Sequence, residues 1–360
     1  MKNKIHLLFA FVSAIVSAQD GAPAAPYYNG FNFSQTGTAL KSGLANKITT
    51  THTRELSYSQ AENAIKVVDL DPGSTTNVLL VYGFSNNICP SSAADDNDHR
   101  RRNKEDDGAG ASCQWNREHT YAKSLGNPDL GTSGPGADVH HLRASDVQRN
   151  GERGSDKFIA GSGNSGPVGA GWYPGDEWKG DIARMMMYMY LRYGNRCLPK
   201  NVAIGTVTAS DPNMVALLLQ WNVEDPVSEY EDSRNNYLGN ANNTYGQGNR
   251  NPFIDNPYLA TLIWGGPAAQ NRWPMLSTTE VMTAQVSVYP NPALDNTINI
   301  YSEKIIDAIT LVNINGQIVQ QISKPQFSNS TYTLQNLPQG FYLLRLNSPQ
   351  GTVTKKIIVN

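Results

Sequence analysis

Beyond Trp264 the sequence changes from helix-compatible text to a series of short alternating runs, and this change constrains the fold more than any other feature. Gly265-Gly266-Pro267 and Ser277-Thr278-Thr279 lead into Ile298-Asn-Ile300, Ala308-Ile-Thr-Leu-Val312, Gln317-Ile-Val319, Phe341-Tyr-Leu-Leu-Arg-Leu346 and Val353-Thr-Lys-Lys-Ile-Ile-Val359. The pairs Asn315-Gly316, Gln339-Gly340 and Gln350-Gly351 separate several of these runs. Alternation with period two puts one set of side chains on each face of a strand, and such pairs favour tight reversals. A linker at 276–285 and a small all-β sandwich at 286–360 are therefore expected, behind a separate domain at 19–275. The alternative of a carbohydrate-binding sandwich lacks a cluster of exposed aromatics.

The first residues have the layout of a secretory leader over 1–18. Lys2 and Lys4 precede an apolar run from Ile5 to Val16, and Val16-Ser17-Ala18 places small residues before Gln19. A membrane anchor would need about 20 apolar residues, more than this run holds. Three cysteines, Cys89, Cys113 and Cys197, leave an odd thiol in an oxidising compartment, so one pair and one free thiol are expected. Cys89 and Cys113 flank a polar stretch and form the favoured pair, although two other pairings are open. No CxxC spacing suggests a metal site. The net charge of −2 offers no global basic field, so any nucleic-acid contact has to rest on local clusters.

Within 27–275 the elements are mixed. Gly37 to Ile48 reads as a broken amphipathic helix, and Thr76 to Tyr82 as a short buried strand. The mixed-charge run from Asp95 to Asp107, including His99 to Lys104, reads as an exposed loop. Lys179 to Tyr193 is the clearest helix, with Gly194-Asn195 as its cap and Arg184 and Arg192 as surface cations. Further helices are expected from Asn213 to Asn222 and from Glu224 to Tyr237, with Pro226 near a start. The fold class is α+β.

Chemistry concentrates in Cys113-Gln-Trp-Asn-Arg-Glu-His-Thr-Tyr-Ala-Lys-Ser124 and Asp138-Val-His-His-Leu-Arg-Ala-Ser-Asp-Val-Gln-Arg-Asn-Gly-Glu-Arg153. Glu118 and His119 are neighbours, so on a strand they point to opposite faces and take different tasks. A carboxylate suits a hard ion such as Mg²⁺, and a neutral imidazole can accept a proton from water. Asn150 can add an amide oxygen, while Arg143, Arg149 and Arg153 can gather a phosphate. Asn116, Arg149, Asn249 and Arg250 are candidates for substrate contact, with Gly248 permitting close approach. His140-His141 could suggest zinc, but neighbours on a strand diverge and a third nitrogen or sulfur ligand is missing. The two are expected to be structural, one of them orienting the site.

Glu118-His119, Lys123-Ser124, Asp138-Val-His-His-Leu142 and Asn150-Gly-Glu-Arg153 resemble the motif series of the endonuclease I family. Lys179-Gly-Asp-Ile-Ala-Arg184, Trp221 with Asp225-Pro226-Val227, Arg234-Asn235, and Gln247-Gly-Asn-Arg-Asn-Pro-Phe-Ile-Asp255 before Trp264 extend the resemblance over 27–265. It implies a ββα-metal finger in which His119 is the general base, and Glu118 and Asn150 hold one Mg²⁺, Mn²⁺ or Ca²⁺ ion. Arginines would hold phosphate oxygens, with Arg153, then Arg143, as choices for the product-stabilising role. The implied activity is endonucleolytic hydrolysis of DNA and RNA with little sequence preference, leaving 5′-phosphates. Where the family commonly has proline, this chain has Ala122 and Ala144. Two other classes stay open: an inactive nucleic-acid-binding scaffold and a phosphoesterase for small esters.

The tail resembles C-terminal sorting domains of type IX secretion, through Val288-Tyr-Pro-Asn-Pro292, Asn313-Ile-Asn-Gly-Gln317, Leu337-Pro-Gln-Gly-Phe-Tyr-Leu343 and Lys355-Lys356-Ile-Ile-Val359. That resemblance implies the secretion machinery as a partner. It also implies a secreted or surface-attached product, monomeric and without stable membrane insertion after processing.

Overall fold

The computed structural model describes residues 24–84, 100–108, 113–273, 286–348 and 351–360. The expected leader and the expected linker lie outside the described residues. The chain divides into two compact units, 1–273 and 274–360.

In the first unit, α1 (Gly37–Thr51) buries Leu40, Leu44 and Ile48, spaced one turn apart. α2 (Tyr58–Val68) starts at a capping box: Ser57 Oγ accepts from the Gln60 amide, and the Gln60 side chain accepts from the Ser57 amide. β1 (Asn77–Leu79) pairs antiparallel with β2 (Arg101–Asn103). The exposed loop expected at 99–104 is thus in part a strand. Pairing turns its middle residue inward, and Arg102 is buried with its guanidinium 3.1 Å from Asp146.

β3 (Trp115–His119), β4 (Leu142–Asp146) and α3 (Val147–Arg153) follow, then the short ribbon of β5 (Gly166–Val168) and β6 (Gly171–Tyr173). α4 (Lys179–Tyr193) is buried along most of its length and ends at Gly194, whose φ of 55° suits a residue without Cβ. Burial here overturns the expectation of a surface Arg184. Its guanidinium is buried and forks onto Glu231 at 2.6 and 2.7 Å.

α5 (Pro199–Val202) precedes α6 (Ala216–Glu224), which begins later than the sequence suggests because Val215 is engaged in a bridge with Val207. α7 (Glu229–Gly239) starts at a Ser228–Glu231 capping box rather than beside Pro226. α8 (Pro252–Asp255) and α9 (Tyr258–Trp264) complete the unit, and α4 packs against α1, α6 and α8. No helix among the described residues is long and apolar enough to cross a membrane.

The second unit is all β. β7 (Val286–Tyr289), β8 (Ile298–Ser302), β9 (Ala308–Asn313), β10 (Ile318–Ser323), β11 (Thr331–Leu334), β12 (Gly340–Ser348) and β13 (Gly351–Val359) form two antiparallel sheets. Their orders are β10-β9-β12-β13 and β11-β8-β7. Ile298, Ile300 and Leu334 from one sheet join Ile309, Leu311, Leu344 and Leu346 from the other in one apolar core. Of the cysteines, Cys113 is disulfide-bonded and Cys197 is a buried free thiol. Cys89, the expected partner of Cys113, lies outside the described residues.

Candidate active site

The motif residues fall on a single β-β-α unit. β3 and β4 pair antiparallel in the register Glu118↔Arg143 and His119↔Leu142, and α3 follows β4 directly. Asp146 joins them: its Oδ1 accepts the Gln148 and Arg149 amides at 2.9 and 3.2 Å, capping α3 where the strand ends. Strand alternation sends Asn116 and Glu118 toward α3, and Arg117 and His119 toward α2. Because β3 ends at His119, both faces are reachable from one edge.

On the α3 face, Glu118 is buried and its Oε1 accepts from Tyr82 Oη at 2.9 Å and Arg153 Nη1 at 3.0 Å. Burial raises its pKa above the usual carboxylate range, while Arg153 and Tyr82 oppose that rise. Both side-chain donors sit on Oε1, which makes Oε2 the oxygen to offer a cation. Asn150, one turn before Arg153 on the same helix face, donates through Nδ2 to Asn116 Oδ1 at 2.6 Å, which leaves its amide oxygen free. One carboxylate and one amide oxygen fit a single hard divalent ion that keeps most of its water. No cluster of three or more His, Cys, Asp or Glu groups arranged for a metal occurs among the described residues. His140 Nε2 and His141 Nε2 are held by the carbonyls of Asn249 (3.0 Å) and Pro135 (2.7 Å).

On the other face His119 is 8% exposed, with its ring nearly parallel to Tyr58 at 5.9 Å and tilted against His141 at 5.6 Å. Nε2 lies 3.0 Å from the Gly136 carbonyl. A carbonyl only accepts, so Nε2 carries the proton and Nδ1 keeps its lone pair. Burial, with His141 second, drives the imidazole pKa down from 6.5 to about 3, so the ring is neutral over the physiological range.

The arginines sit differently from the sequence expectation, because each meets its partners inside the protein. Arg153 is 1% exposed and donates to Glu118 Oε1 and to the carbonyls of His119 (3.1 Å) and Thr120 (3.0 Å). These bonds tie α3 to the end of β3. Arg143, also 1% exposed, donates to Asp181 at 2.9 Å between the rings of Trp178 and Tyr230. Arg149 donates to Glu152 at 2.7 Å and to both oxygens of Ser165, beside Trp172. Arg250 forks onto Asp255 and also reaches Asn236 at 2.9 Å. Asn249 is fully buried, donating to Tyr188 Oη at 2.7 Å. Of the candidates for substrate contact, only Asn116 lies beside the Glu118–Asn150 pair.

Residues 36–258 match the Endonuclease I family, and residues 287–360 match the secretion system C-terminal sorting domain. The first match spans more than half of the chain. It belongs to the endonuclease I family. Two relatives are named "Extracellular ribonuclease". The one from Bacillus amyloliquefaciens is 39% identical over 241 residues, covering 64% of this chain and 75% of its own. The one from Bacillus subtilis (strain 168) is 40% identical over 263 residues, covering 68% and 82%. A solved structure of PorZ, titled as an essential surface component of the type-IX secretion system of Porphyromonas gingivalis, overlaps 23% of this chain and 12% of its own. At 14% identity and a TM-score of 0.20, that overlap carries no argument. The sorting domain marks this endonuclease I family member for secretion.

Motif reading missed Tyr82, Tyr58 and the Gly134–Ala137 turn, whose carbonyls hold the histidines. No local signal marks Tyr82 or Tyr58. The Asp146 cap was detectable, as an Asp directly before a helical segment.

The buried imidazoles of this family member make its stability fall with acid. Burial lowers the pKa of His141 from 6.5 to about 4, and that of His119 to about 3. Below 6.5 the unfolded chain therefore binds protons that the folded chain refuses, and ΔG of unfolding falls as pH falls. The loss starts near 6.5, ends near 4 for His141, and continues toward 3 for His119. Both shifts act in the same direction, so their contributions to the loss add between pH 6 and 4. Urea midpoints at pH 7.5 and 5.5 check this: a clear drop at 5.5 is expected, and equal midpoints would mean that the folded protein accepts those protons.

Proposed function

We propose that this protein is a secreted endonuclease that hydrolyses phosphodiester bonds in DNA and RNA with one divalent ion, Mg²⁺ being the natural choice. A phosphodiester lying across the end of β3 would meet Glu118 and Asn150 on one side and His119 on the other. Nδ1 of His119 accepts a proton from the attacking water, while Nε2 keeps its own proton and donates it in the hydrogen bond to the Gly136 carbonyl. Glu118 and Asn150 would hold the ion, with Arg153 and Tyr82 fixing the carboxylate. When bound, the ion offsets the negative charge that builds on the phosphate. Water forms the new P–O bond as the 3′ oxygen leaves, so the phosphate remains on the 5′ end. Weak sequence preference follows if phosphate and sugar contacts position the strand.

The observation that carries this reading is His119, neutral and held with its acceptor nitrogen free, at the edge of the strand that also bears Glu118. The tail would direct the protein, as a monomer, to the type IX machinery. Plasmid and RNA digestion by the purified chain tests the activity. Both substrates should be degraded with Mg²⁺, and a chelator should reduce turnover to background. Retardation of DNA on a gel with no cleavage under any divalent ion would replace the enzyme with a binding scaffold.

A further inference from the structure

With Arg143, Arg149, Arg153 and Arg250 committed to partners within the protein, the source of positive charge beside the general base has to be found elsewhere. Two cations lie close enough to bear on the His119 ring, Lys123 and Arg117. Arg117 is occupied. Its guanidinium covers one face of Tyr58 at 3.4 Å, Nη1 donates to the Tyr58 carbonyl at 2.5 Å, and Glu62 lies 3.4 Å away. Lys123 is not: among the described residues its ammonium makes no ion pair and no hydrogen bond, and it stands 5.6 Å from the Tyr58 ring centre.

Both Lys123 and Tyr58 are held in place. The Lys123 carbonyl accepts the amides of Gly126 and Leu130, each at 3.1 Å. Ser124 Oγ meets Ser155 Oγ at 3.0 Å, tying this short turn to the segment that follows α3. Tyr58 sits in the first turn of α2, behind the Ser57 capping box and against Arg117. The result is a half-buried ring, backed by a guanidinium, next to an uncompensated ammonium and beside the group that activates water.

We propose that Lys123 and Tyr58 form the subsite for the nucleotide next to the scissile phosphate, the ammonium on its backbone phosphate and the exposed part of the ring against its base. This rests on the nuclease reading above and adds a substrate class to it. An aromatic ring beside a cation takes any base, because every base has a π face. A base inside a duplex stays stacked on its neighbours, so the subsite favours unpaired nucleotides, in RNA or in single-stranded DNA.

The test is fluorescence polarisation of a labelled single-stranded oligonucleotide and of its duplex with the full secreted chain. It is run in EDTA to prevent cleavage and repeated over a series of NaCl concentrations. Lys123→Ala should make the plot of log affinity against log salt shallower by about 0.7 for the single strand, the loss of one phosphate contact. Tyr58→Ala should weaken single-strand binding by about 5- to 50-fold, with less effect on the duplex, and Tyr58→Phe should bind like the wild type. Lys123→Gln, in an accessible turn, repeats the charge arm without a large change of volume. An unchanged salt slope in both lysine variants, or equal weakening of single strand and duplex in Tyr58→Ala, overturns the subsite while leaving the nuclease intact. A wild type that neither binds nor cleaves nucleic acid overturns the nuclease reading itself.

Discussion

His119→Ala should lower the rate of plasmid and RNA cleavage by about 10²- to 10⁴-fold, the contribution of a well-placed general base. The variant should stay folded. Removing the ring deletes a group held by one hydrogen bond to the Gly136 carbonyl and by contacts with Tyr58 and His141. Single-turnover rates at saturating Mg²⁺, with circular dichroism on the same samples, separate lost chemistry from lost structure. A folded His119→Ala protein that cleaves at the wild-type rate would assign proton transfer to another group.

Arg153→Met should produce the largest stability loss of any single change in the site, about 3–5 kcal/mol, because it strips a buried carboxylate of its cation. Glu118 would keep Tyr82 as its one side-chain donor, and the carbonyls of His119 and Thr120 would lose the Arg153 donor. Combining it with Glu118→Gln removes the charge that was left unpaired, so the double variant should be more stable than Arg153→Met alone. Urea midpoints of the four proteins complete the cycle. If Arg153→Met melts with the wild type and loses only phosphate binding, the guanidinium is a substrate contact and not a clamp.

The sequence told most where the determining contacts are local. Lys179 to Tyr193 could be delimited because its formers and its Gly194 cap are contiguous. Glu118, His119 and Asn150 could be singled out because their motifs lie close together in the chain, on β3 and α3. It told least about charge. Whether an arginine faces a phosphate or a carboxylate depends on groups remote in the chain: Asp181 for Arg143, Glu231 for Arg184, Asp146 for Arg102. A cluster of arginines in a motif looks the same in both cases. The strand at 101–103 was hidden for a related reason, since its partner, Asn77–Leu79, is remote and its own residues are polar.

The turn at Gly134–Ala137 controls both histidines through main-chain oxygens, those of Pro135 and Gly136. A main-chain oxygen is present whatever side chain the codon specifies, so mutation cannot delete it and can only move it. Gly136 is where such movement would be forced, because a Cβ there would lie 2.1 Å from the Gly131 carbonyl oxygen. In a laboratory-evolution campaign, the proton arrangement of the base would therefore resist most substitutions around the turn, and Gly136 would be the codon through which it could be lost.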